Sequence, residues 1–309
     1  MATKTALEWL LSGDPAIRWQ TLRDLCGAST ASVSQEQRRV AREGWGARLL
    51  ALQEEDGRWA RGIYNPKWTS TTYTLLLLRD LGLEDGHPGA LKGCRLLLDE
   101  GFWKDGGINF YARRAEYSET CITSMVLSIG CRFGLKDGRL DALAQHLMER
   151  QMADGGWNCR STPGYGGATH GSFHTTILAL EALLDWGRRE GAAARARGEE
   201  FLLAHRLYRS HRTGQVAKPE FTRFYFPPRW HFDVLRGLDY FQARGAARDP
   251  RMEDAIGLVR ARQRSDGRWH VDQRYPGQVF FHMEPIHRPS RWNTLRAMRV
   301  LRWWEAEAC

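Results

Sequence analysis

The 309-residue chain has no apolar run long enough to cross a bilayer. Its longest, around Leu75 to Leu78, falls well short of the ~20 residues a spanning helix needs. The N-terminus lacks the charged-then-apolar pattern of a signal segment. Cysteine is sparse and scattered: Cys26, Cys94, Cys121, Cys131, Cys159 and Cys309 stand singly, with no paired spacing. Together these absences predict a soluble, cytoplasmic chain with reduced thiols. Lysine is scarce beside arginine, and despite a net charge of +9 there is no long basic run and no nucleic-acid reader motif. No nucleic-acid partner is therefore expected; scattered arginines suit a small anionic molecule better.

What the chain does have is a phrase said three times. Gln53-Glu54-Glu55-Asp56-Gly57-Arg58-Trp59 recurs at Gln151 to Trp157 and again at Gln263 to Trp269. A worn copy starts at Asp105-Gly106-Gly107. The Asp-Gly pairs at 56, 105 and 154 are evenly spaced, and the gap from 154 to 266 has room for two units. A fixed period of roughly 50 residues signals an array of similar units.

Each phrase ends an apolar helical stretch, and Asp-Gly is a strong stop: glycine accepts the left-handed cap and aspartate bonds nearby backbone. A second, more apolar helix follows, as in Thr71 to Leu78, Cys121 to Leu127, Thr176 to Leu180 and Thr294 to Leu301. A helix apolar on most faces belongs inside. Each unit thus reads as outer helix, turn, loop and inner helix. Six inner-helix starts line up, at Ile17, Ser70, Ser118, Phe173, Arg229 and Arg291. Six hairpins can stack openly or close into a ring, and a recurring polar residue at one ring position favours closure around a shared cavity. The expected fold is all-α, an α/α toroid of about six helical hairpins, with residues 1–309 as one domain and an exposed connection at 191–198.

Gln-x-x-x-Gly-x-Trp at the ends of outer helices resembles the QW repeat of the squalene-hopene cyclase and protein prenyltransferase superfamily. The resemblance covers most of the chain and implies the α/α toroid. It also implies that Gln53, Trp59, Gln151, Trp157, Gln263 and Trp269 are structural clamps, the glutamine capping helix ends and the tryptophan stacking on a neighbour.

The ring position carries Gln20, Thr71, Glu119, His174, His231 and Asn293, with Cys121 and Asp233 close by in sequence. Ionisable groups are costly to bury unless paired, so Glu119, His174, His231 and Asp233 are the catalytic candidates for acid–base work. In protein prenyltransferase β subunits an Asp-x-Cys pair opens one inner helix and a histidine opens a later one as zinc ligands. Glu119-Thr120-Cys121 resembles the first, with Glu for Asp, and Phe173-His174-Thr175 the second. The resemblance therefore implies zinc on Glu119, Cys121 and His174, with His231, or alternatively Asp233, one unit on, completing the site. Class II terpene cyclases protonate an alkene with Asp-x-Asp-Asp; this chain has none, Asp233 standing alone. Orthodox squalene-type cyclisation is not expected.

Arg18, Arg229 and Arg291 recur at inner-helix starts, where a planar guanidinium suits phosphate or carboxylate. With Trp68, Tyr117, Phe173, Trp230, Trp292 and Asn293 they are the candidate substrate-binding residues, aromatic faces clasping an apolar body. The long segments 206–227 and 270–289 are expected to lie over the cavity mouth. The expectation is an enzyme of this toroid type acting on a small, partly apolar, anionic, isoprenoid-like substrate by acid–base or metal-assisted chemistry. The alternatives are a non-catalytic small-molecule-binding toroid and a zinc-dependent transferase or hydrolase.

Overall fold

The repeated phrase folds three times into one turn. Gly57, Gly155 and Gly267 adopt φ of 98°, 84° and 76°, the left-handed region that glycine enters without penalty. The preceding aspartate accepts from the backbone two residues on: Arg58 N, Gly156 N and Arg268 N lie 2.9, 3.0 and 3.1 Å from Asp56, Asp154 and Asp266 Oδ1. The tryptophan then turns inward. Its indole N–H donates to the outer-helix carbonyl ten residues back, Leu49, Leu147 or Val259, at 2.7, 2.7 and 2.8 Å. Its backbone N–H donates to a threonine Oγ1 of the following inner helix, Thr71, Thr176 or Thr294. All three indoles are buried. The copy at Asp105 keeps the turn and loses the indole: Ile108 N donates to Thr123 Oγ1 at 2.9 Å.

This is a computed structural model that describes residues 5–111, 116–159 and 167–306; Cys309 lies outside them. The described residues form no strand, four short 3-10 turns and thirteen α-helices. They are α1 (Ala6–Leu11), α2 (Pro15–Asp24), α3 (Thr30–Arg38), α4 (Gly44–Leu50), α5 (Thr71–Leu81), α6 (Pro88–Gly101), α7 (Thr120–Arg132), α8 (Arg139–Glu149), α9 (Phe173–Trp186), α10 (Ala192–Ala204), α11 (Val234–Ala243), α12 (Glu253–Ala261) and α13 (Arg291–Glu305). No helix among them is long and apolar enough to cross a membrane.

The inner helices are α2, α5, α7, α9, α11 and α13. In α5 every residue from Thr71 to Leu78 is buried, as an apolar helix surrounded on all sides must be. Glycines let outer helices close on the tryptophans. A Cβ on Gly198 of α10 would come within 2.5 Å of Trp157, and one on Gly93 of α6 within 3.2 Å of Trp59. The glutamine side chains complete the clamp: Gln53 Nε2 donates to Gly57 O and Gly89 O, Gln151 Nε2 to Gly155 O and Ala194 O.

The ring is closed by a circuit of polar side chains, and each inner helix is bonded to both neighbours. Trp19 and Gln20 of α2 donate to the carbonyls of Leu81 and Asp80 in α5. Arg79 of α5 reaches Ser128 of α7, whose hydroxyl donates to Asp185 of α9 at 2.6 Å. Glu181 of α9 receives Arg236 of α11 at 2.7 and 2.8 Å. Asp239 of α11 receives Arg296 and Arg299 of α13. Arg299 returns to Gln20 and Asp24 of α2 at 3.1 and 3.2 Å. This girdle lies toward the C-terminal ends of α2, α5 and α9.

Three expectations are corrected. The 191–198 segment is not an exposed connection but the start of α10, clamped on Trp157. Helix α2 begins at Pro15, so Gln20 lies a turn and a half inside it and belongs to the girdle. Helix α11 begins only at Val234, so Arg229, Trp230 and His231 stand in the loop before it.

Candidate ligand-binding cavity

A cavity of about 260 Å³ lies against the inner helix α5. Leu49, Thr74 and Leu77 form its helical wall; Phe226, Pro227 and Arg229 come from the loop before α11. The segment from Arg274 to Glu284, including Tyr275, Val279, Phe280, Phe281 and Met283, covers it. The two long segments expected over the mouth therefore both reach the cavity. Of the nine residues expected to bind substrate, Trp68 and Arg229 line it.

Both hold a conformation that large side chains rarely adopt, with φ of 75° at Trp68 and 57° at Arg229. Such backbone persists only where its surroundings over-determine it. Trp68 is fixed by its indole N–H, which donates to Pro276 O at 2.7 Å, and by its edge contact with Tyr73. The Arg229 loop is held from the girdle: Arg236 Nη1 donates to Arg229 O and His231 O at 3.0 and 2.7 Å. Arg229 then lays its guanidinium over the Trp68 ring, 5.3 Å from the centroid.

Three charged side chains on the wall have different partners. Arg274 donates to the carbonyl of Glu284. Glu284 caps α13, accepting from Ser290 Oγ at 2.5 Å and Arg291 N at 2.6 Å, while burial raises its carboxyl above the usual range. Arg229 is buried, and among the described residues its guanidinium makes no hydrogen bond and no ion pair. Burial pushes it down to about 10 against the opposing charge of Asp80, which is not within ion-pair distance, so the guanidinium stays charged at neutral pH.

The other expected anchors are engaged elsewhere. Arg18 bonds Glu36 at 2.6 Å and Gly13 O. Arg291 donates to Trp9 O and stacks on the Trp9 ring. Asn293 is buried and ties Phe224 O to His270 O. Trp292 stacks on Phe226, behind the wall, at 4.2 Å. Phe173 packs among Phe201, Phe221 and Phe232, and Tyr117 is exposed.

The catalytic candidates do not converge on the cavity. Asp233 is the N-cap of α11: Oδ1 accepts from Arg236 N at 2.8 Å, Oδ2 is buried without a hydrogen bond, and burial raises its carboxyl. His174 and His231 meet edge to face at 5.6 Å. His174 Nδ1 accepts from Phe232 N at 2.8 Å, which leaves its proton on Nε2. His231 is sandwiched between Trp230 and Tyr275 at 3.7 and 3.4 Å. Burial lowers them to about 4 and about 2, so both rings are neutral at pH 7.

Glu119 and Cys121 instead meet Cys159, which the sequence reading had not singled out. One ligand atom from each lies within 4.8 Å of the others, and neither imidazole joins that group. Cys121 N points at Cys159 Sγ at 3.4 Å, and Cys121 Sγ lies 3.7 Å from Glu119 Oε2. The hydrogen bond between the thiols holds Cys121 up and Cys159 down. Two sulfurs and a carboxylate form a donor set that zinc accepts. The four-ligand set with both histidines is not assembled.

No family model matches the chain, and no curated protein matches it. Solved structures do. A protein from Actinoplanes is 16% identical, with 94% of this chain and 90% of that chain covered and a TM-score of 0.49. A variant of the type II terpene cyclase MstE from Scytonema, in complex with geranylgeranyl dihydroxybenzoate, is 17% identical over 94% of this chain and 86% of that chain, with a TM-score of 0.47. An apo variant of the same cyclase is 16% identical over 94% and 87%, also at 0.47. At these values the likeness carries nothing about chemistry, which rests on this chain's own side chains.

Proposed function

We propose that the toroid binds a small anionic molecule with an apolar body in the aromatic cavity, with Arg229 as its counter-charge. The observation that carries this is the buried Arg229 guanidinium, which makes no hydrogen bond or ion pair among the described residues, beside the aromatic residues that line the cavity. Leaving such a charge unpaired is costly, so its place in the fold is best explained by a ligand that pairs it. Acid–base chemistry has less support, because Glu119, His174, His231 and Asp233 are not on the wall. Thermal melts with benzoate, phenyl phosphate, benzenesulfonate and toluene test the reading. At least one anion is expected to stabilise the wild type and not Arg229→Met, and toluene to do nothing. If no anion acts, or Arg229→Met responds equally, the reading is wrong.

A second reading is favoured by the convergence of Glu119, Cys121 and Cys159. These three residues would hold a zinc ion, which supplies a Lewis acid when bound. Elemental analysis of protein purified without a histidine tag is expected to find one zinc per chain in the wild type and in His174→Gln, and none in Cys159→Ser. A metal-free wild type, or a Cys159→Ser variant that keeps its zinc, removes this reading.

A further inference from the structure

We infer that the cavity's ligand is a planar aromatic monocarboxylate of about ten non-hydrogen atoms, an assignment that rests on the anion-binding reading of the same cavity. The size follows from volume. An apolar cavity of roughly 150 Å³ takes benzene, so about 260 Å³ takes roughly ten atoms. Geranyl diphosphate is nearly twice that.

The charge follows from the wall. Arg229 offers one unpartnered positive charge. Arg274 donates to the Glu284 carbonyl, and the Glu284 carboxylate on the same wall offsets the Arg274 charge, which leaves a net of one positive charge from these three side chains. A ligand with two or more charges would bury charge without compensation, whereas one carboxylate is neutralised by one guanidinium. A guanidinium also presents two parallel N–H groups that match the two oxygens of a carboxylate. Trp68 lies beneath the guanidinium, 5.3 Å from ring centroid to Cζ.

The aromatic body follows from the remaining walls. Phe226, Tyr275, Phe280 and Phe281 line the cavity. A planar ring fits among ring faces in offset or edge contacts, at less entropic cost than a flexible chain of equal size.

Calorimetry and thermal melts on the full chain test this with cinnamate, cinnamamide, octanoate and geranyl diphosphate. Cinnamate is expected to bind at one site and raise Tm, with cinnamamide and geranyl diphosphate inert and octanoate clearly weaker. Arg229→Met should weaken cinnamate by at least about thirtyfold, the scale for removing one partner of a desolvated charge pair. Arg229→Lys should recover only part of it. If Arg229→Met does not fold, Val279→Trp serves instead: it fills the cavity, keeps the guanidinium and should abolish binding. Tighter binding of geranyl diphosphate, lost in Arg229→Met, would overturn the monocarboxylate and leave the anion reading standing. Octanoate matching cinnamate would overturn the aromatic body. If no anion of any kind binds, or Arg229→Met keeps cinnamate affinity, both the assignment and the reading beneath it fall.

Discussion

Arg236 and Arg229 are the same residue type at the same depth, 3% and 7% exposed, seven positions apart, yet their surroundings differ completely. Arg236 is in the girdle, where Glu181 takes two of its N–H groups and two backbone carbonyls take a third. Although burial pulls it down, Glu181 holds Arg236 above its ordinary value. Arg229 is at the cavity, has no such partner, and is pushed down by burial. Buried charges that close a fold are paired within the fold. Arg229 is buried without a contacting carboxylate, and the anion-binding proposal rests on it. The two sites are also joined, because Arg236 grips the backbone that presents Arg229.

The largest way to break this comparison is to make the same substitution in both places. Arg236→Met should lose about 3–5 kcal/mol of stability, because it strands Glu181 beside Arg79 alone and frees two loop carbonyls. Urea unfolding measures it. A loss under about 1 kcal/mol, the scale of an exposed pair, would mean that the girdle does not hold the ring.

Acid sharpens the contrast next. Burial raises the Glu181 carboxyl, but Arg236 and Arg79 outweigh it and hold it at about 2, against an ordinary 4.5. The unfolded chain therefore takes up this proton first. The stabilisation is complete above pH 4.5 and is lost as pH falls from 4.5 toward 2, roughly 3 kcal/mol in all. In Glu181→Gln that segment of the stability-versus-pH curve should flatten. An unchanged slope would assign the acid sensitivity to other carboxylates.

Much of the fold was legible because its rules are local. Asp-Gly turns, a tryptophan ten residues past its carbonyl partner and an apolar helix after each turn are contiguous patterns, and they fixed six inner helices. The site was legible only where local and distant rules agreed. Trp68 and Arg229, which line the cavity, stand out in the sequence because an aromatic and a cation precede inner helices. Arg18 and Arg291 show the same pattern and are paired away by Glu36 and by α1, partners that no spacing reveals. The expected catalytic set lies off the cavity wall, a matter of register. A helix start misjudged by a few residues turns a side chain to another face, and α11 opens four residues after the position aligned as its first aromatic. Cys159 was passed over because it belongs to a loop; no helix start flagged it, although it lies two residues past a repeated tryptophan.

The smallest expected effect is the most diagnostic. Arg229→Met removes a guanidinium that makes no hydrogen bond among the described residues and leaves an apolar side chain of similar reach against Trp68. What is lost is one cation–π contact, about 0.5–2 kcal/mol; what is relieved is the desolvation of a lone charge, of similar or larger size. Without ligand, Tm should therefore stay level or rise, a gain under about 1 kcal/mol being the expected size. The left-handed backbone at this position is strained for arginine and methionine alike, so it does not bias the comparison. With ligand the order reverses, since only the wild type is stabilised. A ligand-free Arg229→Met that melts far below wild type would show the guanidinium to be structural, and the distinction between the two arginines would collapse.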